Sequence, residues 1–411
     1  MKAIMNFTIE LPEGTTNHGD PNLICTPATW RDIFVFFVTN YFIHAATLPP
    51  VPGESKREIV FSVITALFIP GYGAARTLRR FILRPGFKHR KSPLQCALKA
   101  GALCMVVDER SLSRQTHGIY ADPDGWAAKI FNFDLQEALC PSSRAIHGVF
   151  QLPEGYYLCT VPSLSKLRPT ASSIPGSELF RPASEYNVVR ILFSLVQAMA
   201  GGITIYRAQG DQITRYGYSA FGLSVVPYVF MSIMNLLASL LGPEYAAMYL
   251  VRTPDMDKAE KDGGKFEGIV AELVVRTPGS EEPKIGYSLA NAGSRAYVLV
   301  WSFLVIAPLI IVGALSRFIN GESSTAFDRG WILSWLVVGS TSSCLALWMS
   351  GMIQAITIPI TQDKARDITS NIVVCLVFLI FMLPAWVPAI GGMVVVGRQL
   401  REYGICTNFD S

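Results

Sequence analysis

The sequence predicts a mainly α protein: a polytopic transmembrane helix bundle of seven to eight spans, with a smaller mixed α/β hydrophilic module formed by two long loops. The chain of 411 residues is 50% hydrophobic and 16% charged, with a mean hydropathy of +0.34, which is unusual for a soluble protein. No charged residue stands between Arg329 and Asp363, or between Asp367 and Arg398. Both runs exceed the roughly 20 residues that cross a bilayer core.

Apolar runs of this kind predict seven spans, and each should be a helix because backbone groups find no water within the bilayer. The alternating pattern of a membrane β-barrel is absent from the sequence. The predicted spans are residues 33–50, 59–76, 190–206, 217–242, 296–315, 330–354 and 369–397.

Segment 92–107 is a marginal eighth span, because Lys99 offsets the insertion energy of its few strongly apolar residues. Lys and Arg in short loops concentrate on the cytoplasmic side, and seven of them stand between Arg76 and Lys91. If 92–107 crosses, this rule places both termini in the cytoplasm. If the segment instead lies on the inner surface, every later span reverses its direction. The charge distribution favours the first arrangement.

The resulting division of the chain has seven parts. Segments 108–186 and 252–295 are separated by two spans, so they share one side of the membrane and we expect them to form one module. The parts are a polar N-terminal segment (1–30), a first transmembrane hairpin plus the marginal third span (31–107), a hydrophilic loop module (108–186), a transmembrane pair (187–251), a hydrophilic loop (252–295), three transmembrane spans (296–397) and a C-terminal tail (398–411).

The charges of the hydrophilic segments nearly balance. Seven basic and nine acidic residues stand from Asp108 to Glu185, and seven basic and eight acidic from Arg252 to Arg295. Because nucleic-acid binding needs a clustered basic excess, we expect no nucleic-acid partner. The expected partner is the lipid bilayer, in the plasma membrane or an endomembrane.

A repeated motif marks the first hydrophilic segment: "HGIYADPDGW" begins at His117 and "HGVFQLPEGYYL" at His147. Pro-acid-Gly is typical of a tight turn, so we predict two related hairpins. The histidines could instead form a metal or acid–base pair. That interpretation is weaker, because no third ligand stands at a suitable spacing.

Four polar residues fall inside predicted spans, namely Asn40, His44, Gln197 and Asn235. Hydrogen bonds between helices explain such residues without any substrate. The alternative is a polar cavity in which His44 titrates near neutral pH. Both interpretations place Asn40 and His44 on one helix face, because they are four residues apart.

The eight cysteines show no Cys-x-x-Cys spacing. Cys140 and Cys159 lie in a hydrophilic segment, where they would form a disulfide in the lumen or exterior and remain free thiols in the cytoplasm. The sequence predicts no catalytic residue, no cofactor and no metal site.

Four stretches carry a resemblance: "CTPATWRDIFVFFVTNYFIHAATLPPVPG", "GALCMVV", "HGVFQLPEGYYLCTVP" and "GGKFEGIVAEL". In these the chain resembles a family of uncharacterised multi-pass integral membrane proteins of filamentous ascomycete fungi. The resemblance implies membrane residence and no particular chemistry.

The function predicted from the sequence is therefore non-enzymatic: sensing or scaffolding through the hydrophilic module. One alternative is a small-molecule or lipid transporter that uses helices broken by Gly and Pro. A second alternative is a membrane-embedded enzyme, for which the sequence offers no catalytic constellation.

Overall fold

The chain forms a mixed β-sheet and a set of helices that we call the helical part. The two contact each other at the loop of residues 49–54, which we call the junction. The computed structural model describes residues 10–19, 21–82, 92–108, 140, 144–161, 165–170, 182–274, 285–357 and 364–408. The helices are α1 Trp30–Phe37, α2 Ile43–Ala46, α3 Lys56–Phe68, α4 Ala74–Ile82, α5 Pro93–Ala100, α6 Val188–Ala208, α7 Asp211–Tyr216, α8 Val226–Leu241, α9 Pro254–Lys261, α10 Ile285–Ser316, α11 Ala326–Thr357 and α12 Lys364–Tyr403. The strands are β1 Leu23–Thr26, β2 Leu103–Asp108, β3 Ile146–His147, β4 Phe150–Gln151, β5 Tyr156–Thr160, β6 Leu167–Pro169, β7 Met248–Arg252, β8 Lys265–Phe266, β9 Ile269–Leu273 and β10 Ile405–Asn408.

The predicted polytopic bundle of seven to eight spans is wrong. Among the residues that the structure describes, two helices are long and apolar enough to cross a membrane, Val188–Ala208 and Leu223–Leu241. A third apolar stretch, Trp301–Ser316, is shorter. Hydropathy counts uncharged residues along the chain, but it does not detect where a helix breaks or where an apolar run becomes a strand.

The predicted second span, 59–76, shows such a break. Helix α3 ends before Pro70, which restricts the preceding residue to extended backbone, and Ile69 has φ −125° and ψ 90°. A 3₁₀ turn, Pro70–Gly73, leads into α4. Arg76 of α4 then binds Pro49 and Glu54, which precede α3. The chain therefore turns back toward its point of entry and does not cross.

The predicted marginal span 92–107 is a short helix followed by a strand. Ser92 caps the N-terminus of α5, and Gly101 ends the helix in the left-handed region with φ 71°. The apolar residues that follow form β2, which is buried from Leu103 to Val107. A strand that is covered on both faces has a continuously apolar sequence. Such a sequence resembles part of a membrane span.

Strands from both hydrophilic segments join in one sheet, in the order β5-β2-β7-β9-β6, with β3 also paired to β7. The pairs β2–β7, β7–β9 and β3–β7 are parallel, whereas β5 and β6 join antiparallel at the edges. Leu94, Ala97 and Leu98 of α5 pack on one face. Met256 and Ala259 of α9 pack on the other. The core strands β2 and β7 come from segments that the sequence assigned to transmembrane regions.

The Pro-acid-Gly motif at Pro153 forms its turn, and Gly155 has φ 81°. The strands beside it do not pair with each other, so the predicted hairpin is wrong. Strand β4 pairs with β8, and β5 pairs with β2. A turn motif fixes a local chain reversal, but the pairing partner depends on the rest of the sheet. The copy of the motif at His117 lies outside the described residues.

Aromatic rings fill the core of the helical part. The ring centroids of Tyr41 and Tyr228 lie 4.8 Å apart, and Trp335 lies 5.6 Å from Tyr41 and 5.9 Å from Tyr228. Edge-on and tilted contacts of this kind add about 0.5–1.5 kcal/mol per pair beyond area burial. These rings connect the chain between α1 and α2 to α8 and α11.

The two ends of the described chain are joined. Strands β1 and β10 pair antiparallel, with Cys25 opposite Cys406, and these two cysteines form a disulfide. Next to it, the ring of His18 stacks on Tyr403 with centroids 4.8 Å apart. We call this region the terminal end of the molecule.

Gly53 provides a test of the junction between the helices and the sheet. It has φ 68°, and a Cβ there would lie 2.6 Å from the backbone oxygen of Ala145. We expect Gly53→Ala to lower the free energy of unfolding by about 3 kcal/mol, since the left-handed conformation costs about 1 kcal/mol and the overlap about 2. Denaturant unfolding followed by tryptophan fluorescence measures it.

Gly263→Ala is the matched control, because Gly263 has φ 96° but nothing within 4 Å of a Cβ. It should lose only about 1 kcal/mol. Equal losses in the two variants would contradict the close approach at Gly53.

Candidate functional site: the buried polar network and the arginine clasp

The four polar residues predicted within spans are all buried in the helical part. Asn40 is 2% exposed, and His44, Gln197 and Asn235 are 0% exposed. Asn40 stands in a π-helical turn, Val38–Phe42, between α1 and α2. The structure brings them together through the contacts that α2, α6 and α8 make with one another.

Asn235 links two helical segments. Its Nδ2 donates to Thr47 Oγ1 at 3.0 Å, and its Oδ1 accepts from Thr77 Oγ1 at 2.5 Å. One helical turn earlier on α8, Ser232 Oγ lies 2.8 Å from His44 Nδ1. These bonds tie α8 to α2, whose C-cap residue is Thr47, and to α4.

Gln197 binds the backbone of the π-helical turn. Its Nε2 donates to the Asn40 backbone oxygen at 2.6 Å, and Asn40 Nδ2 donates to the Phe36 oxygen at 2.9 Å. A π-helical turn displaces backbone carbonyls from the regular helical ladder, which explains why one of them accepts from another helix. The side-chain oxygens of both amides are buried without a hydrogen-bond partner.

The chemistry available in this network is limited. The groups are neutral amides, hydroxyls and one imidazole, and most of them bind one another or nearby backbone. Such contacts typically contribute about 0.6–2 kcal/mol each in an apolar surrounding. The arrangement therefore fits the hydrogen-bonding interpretation of the sequence better than a polar cavity.

A second polar site lies at the junction and was not predicted. Three arginines donate to carbonyl oxygens of the loop "PPVPGE", residues 49–54. Arg76 Nη1 lies 3.4 Å from the Pro49 oxygen, Arg80 Nη2 lies 3.2 Å from the Pro50 oxygen, and Arg144 Nη1 lies 3.0 Å from the Pro52 oxygen. We call Arg76, Arg80 and Arg144 with this loop the arginine clasp.

Each arginine of the clasp has a carboxylate partner: Glu54 for Arg76, Glu244 for Arg80, and Glu58 for Arg144, at 3.9 Å. The Glu54 side chain, 5% exposed, accepts from Arg76 Nη2 at 2.8 Å and Nη1 at 3.2 Å. Glu244 accepts from Arg80 at 3.5 Å and also from Arg190. Removing one partner of a buried pair costs about 3–5 kcal/mol, because the other charge is left uncompensated.

The clasp joins the helices to the sheet through the backbone. The Ala145 N–H donates to the Gly53 oxygen at 2.8 Å, and the Met248 N–H donates to the Ala145 oxygen at 2.9 Å.

Burial lowers the pKa of Arg80 from its ordinary value, and Glu244 opposes that change. Its ordinary value is so high that the guanidinium remains charged near neutral pH.

A sequence signal for the clasp did exist. Three prolines in "LPPVPGE" lack N–H donors but keep their carbonyl oxygens, so the loop needs donors from elsewhere. Arg76 and Arg80 are four residues apart and share one helix face. The basic residues from Arg76 to Lys91 predicted only a membrane orientation, and their pairing with the loop carbonyls was not predicted.

The predicted loop sites have different outcomes. His147 is exposed on β3, with its ring 5.2 Å from that of Tyr249. Its partner in the proposed pair, His117, lies outside the described residues. Cys140 and Cys159 are both free thiols, so the disulfide considered for them is not formed.

One cluster of three candidate metal ligands occurs among the described residues. Ligand atoms of His18, Cys25 and Cys406 lie within 4.8 Å of one another. Because the two sulfurs form the disulfide at the terminal end, they are not available as thiolates.

Comparison with family models, curated proteins and solved structures gives no match.

Asn235→Leu tests whether the buried network is structural. We expect it to lower the free energy of unfolding by about 1–2 kcal/mol, because the bonds to Thr47 and Thr77 disappear. Thermal or denaturant unfolding measures the change.

Ser239→Ala is the control one turn later on α8, because the Ser239 hydroxyl is buried without a hydrogen-bond partner. It should change stability by no more than about 0.5 kcal/mol. The structural interpretation would be refuted by an Asn235→Leu protein as stable as this control.

Proposed function

We propose that this protein is a non-enzymatic membrane-resident scaffold that holds its mixed sheet in a fixed orientation at one membrane surface. The observation that carries the proposal is the arginine clasp. It replaces a flexible linker between helices and sheet with buried ion pairs and backbone hydrogen bonds. A protein whose role is to present a surface needs this rigidity.

Membrane residence rests on the surface of α6. Only 17% of its apolar stretch is buried in the protein, against 67% for Leu223–Leu241. Large apolar side chains are exposed along its length: Val188, Val189, Leu192, Phe193, Leu195, Val196, Met199, Ile203 and Tyr206. The core helix of a soluble protein would bury this face, since exposure to water costs about 25 cal/mol per Å². Lipid covers it without that cost.

The helix has the length for this role. Its 21 residues extend about 31 Å at 1.5 Å per residue, close to the bilayer core of about 30 Å. Near its start, Arg190 binds Glu244 beside the clasp. Beyond its end, Arg215 of α7 donates to the His18 oxygen at 3.3 Å, at the terminal end. A membrane-spanning α6 therefore separates the sheet from the terminal end.

The oxidation states of the cysteines indicate which side of the membrane carries the sheet and which carries the terminal end. The terminal end carries the Cys25–Cys406 disulfide, and disulfides persist in oxidising compartments. The sheet carries free thiols at Cys104, Cys140 and Cys159, which suits the reducing cytoplasm. We place the sheet in the cytoplasm and the terminal end in the lumen or exterior. This reverses the side expected for the termini from charge distribution alone.

Transport has weaker support. Transport was suggested by helices broken by Gly and Pro, and Pro70–Gly73 is one such break. A Cβ on Gly71 would lie 2.7 Å from the Gly339 backbone oxygen. Such close backbone packing favours a fixed break over a moving one. The polar residues that could line a path are also fully buried.

Accessibility labelling tests the topology. Glu322 lies beside α7 at the terminal end, because its backbone N–H donates to the Thr214 oxygen. In a background that lacks the two half-buried thiols of the described residues (Cys96→Ser, Cys140→Ser), we expect Glu322→Cys to react with a membrane-impermeant maleimide from the lumenal or exterior side. Lys261→Cys, at the end of helix α9 that packs on the sheet, should react only from the cytoplasmic side. Both positions are exposed in the structure. Sealed vesicles of known orientation provide the measurement, and labelling of both from one side would contradict the arrangement.

Distance measurements test the rigid junction. With spin labels at 261 and 322, the wild-type protein should give a single narrow distance distribution. Arg76→Ala should broaden it, because Glu54 loses both guanidinium bonds. The scaffold proposal fails if Arg76→Ala leaves the distribution narrow in a protein that remains folded.

The matched control is Asp257→Asn. It removes the ion pair Arg252–Asp257, whose aspartate is exposed, and leaves Arg252 paired with Glu260; such a surface pair contributes little to stability. This variant should keep the wild-type distance distribution.

A further inference from the structure

Three candidate metal ligands lie together at the terminal end of the molecule. A ring nitrogen of His18 and the sulfurs of Cys25 and Cys406 lie within 4.8 Å of one another. Cys25 is buried, whereas His18 and Cys406 are half-buried, so solvent reaches the group from one side. The disulfide occupies both sulfurs in the oxidised protein, and they can act as ligands only after reduction.

Hydrogen bonds, as well as the disulfide, hold the backbone around the two cysteines. Strands β1 and β10 place Cys25 directly opposite Cys406. Cys25 also exchanges two backbone hydrogen bonds with Thr16, at 2.8 and 3.0 Å. None of these bonds involves sulfur. The two thiols of the reduced chain therefore stay side by side, close to the segment that carries His18.

His18 is held in position by hydrogen bonds to three different residues. Its backbone N–H donates to Thr16 Oγ1 at 3.2 Å, and its backbone oxygen accepts from Arg215 Nη2 at 3.3 Å. Its ring Nε2 donates to the Tyr403 backbone oxygen at 3.0 Å. These bonds hold His18 at φ 53°. Residues other than glycine adopt this left-handed conformation rarely, and such residues cluster at functional sites.

The bond to Tyr403 determines which ring nitrogen of His18 can bind a metal. A backbone carbonyl oxygen only accepts, so Nε2 carries the proton and Nδ1 keeps its lone pair. Metal-binding histidines almost always donate their other ring N–H to a carbonyl, a carboxylate or water. The neutral His18 ring therefore already has the tautomer that metal binding requires.

We propose that reduction of the Cys25–Cys406 disulfide creates a binding site for one Zn²⁺ ion, with His18 Nδ1 as the third protein ligand. Thiolate and imidazole are the ligands that zinc prefers. Bonds of about 2.3 Å to sulfur and about 2.0 Å to nitrogen place tetrahedral ligand atoms about 3.5–3.8 Å apart. The observed spacing needs shifts of about 1 Å, which side-chain rotation supplies. Among the described residues the group has three members, and water takes the fourth position.

The reaction is a two-electron reduction followed by ion exchange. A dithiol supplies two electrons and two protons: the S–S bond breaks, both cysteines become thiols, and the dithiol closes to its own disulfide. Zn²⁺ then replaces the two thiol protons, which pass to solvent, and Nδ1 donates its lone pair. The terminal end thus has two closed states, one joined by a disulfide and one by zinc.

The test compares oxidised and reduced protein, using the full chain in detergent under argon. One sample is treated with a phosphine reductant, which is then removed, and both are titrated with Zn²⁺ in competition with a chromophoric zinc chelator. The free thiols Cys96, Cys104, Cys140 and Cys159 are present in both samples, so the difference reports on the disulfide. We expect one more Zn²⁺ per chain in the reduced sample. X-ray absorption at one equivalent should show two sulfurs at about 2.3 Å and a nitrogen at about 2.0 Å.

His18→Asn removes the imidazole, and asparagine tolerates the left-handed backbone. The reduced variant should bind Zn²⁺ at least about a hundredfold more weakly than wild type, since loss of an outer-shell partner alone costs about 10–100-fold. Formation of the Cys25–Cys406 disulfide on reoxidation shows that its terminal end is folded. The matched control is His147→Ala, because His147 is an exposed histidine on β3. This variant should bind Zn²⁺ as wild type does.

Cys406→Ser is a second ligand substitution and should abolish the extra ion even if His18→Asn does not fold. Equal zinc binding by oxidised and reduced wild type would refute the site. Reduced His18→Asn and Cys406→Ser proteins that bind Zn²⁺ as tightly as His147→Ala would refute it as well, and so would an absorption spectrum without a nitrogen ligand.

Discussion

The hydrogen bonds from three arginines to the proline-rich loop hold the molecule together at its junction. Arg76, Arg80 and Arg144 supply donors to a loop whose prolines have carbonyl oxygens but no N–H groups. A loop of this composition cannot satisfy itself. It therefore forms only where another element brings donors, and here α4 and the segment before β3 bring them. The helices and the sheet become one unit as a result.

In the helical part, as in the proline-rich loop, buried polar groups find their partners on other elements of the chain. Its interior contains polar groups, but those of the buried network are neutral and paired across elements: His44 with Ser232, Asn235 with Thr47 and Thr77, and Gln197 with the π-helical turn. Burying an ionised group in such a setting would cost several kcal/mol. Neutral amides and hydroxyls give directional contacts without that cost. They fix which helices are neighbours, while the aromatic rings of Tyr41, Tyr228 and Trp335 fill the volume.

The two ends of the molecule differ in sulfur chemistry. At the terminal end, paired strands bring Cys25 and Cys406 together as a disulfide. Among the described residues, Cys104, Cys140 and Cys159 at the sheet and Cys96 in α5, which packs on it, are free thiols. A membrane between the ends would keep these states separate, because disulfides persist in oxidising compartments and free thiols in the reducing cytoplasm.

The sequence by itself determined the local features. Hydropathy located α6 and α8, and turn chemistry located Gly155. The tertiary structure alone decided that "GALCMVV" is a central strand, that the chain turns back at Pro70, and that β4 pairs with β8. Apolar runs of a buried strand and of a membrane helix have the same composition. Their difference lies in what covers them, and for Leu103–Val107 that cover comes from residues up to about 170 positions away in the chain. Cysteine pairing followed the same logic, because Cys25 meets Cys406 only after the two terminal strands have aligned.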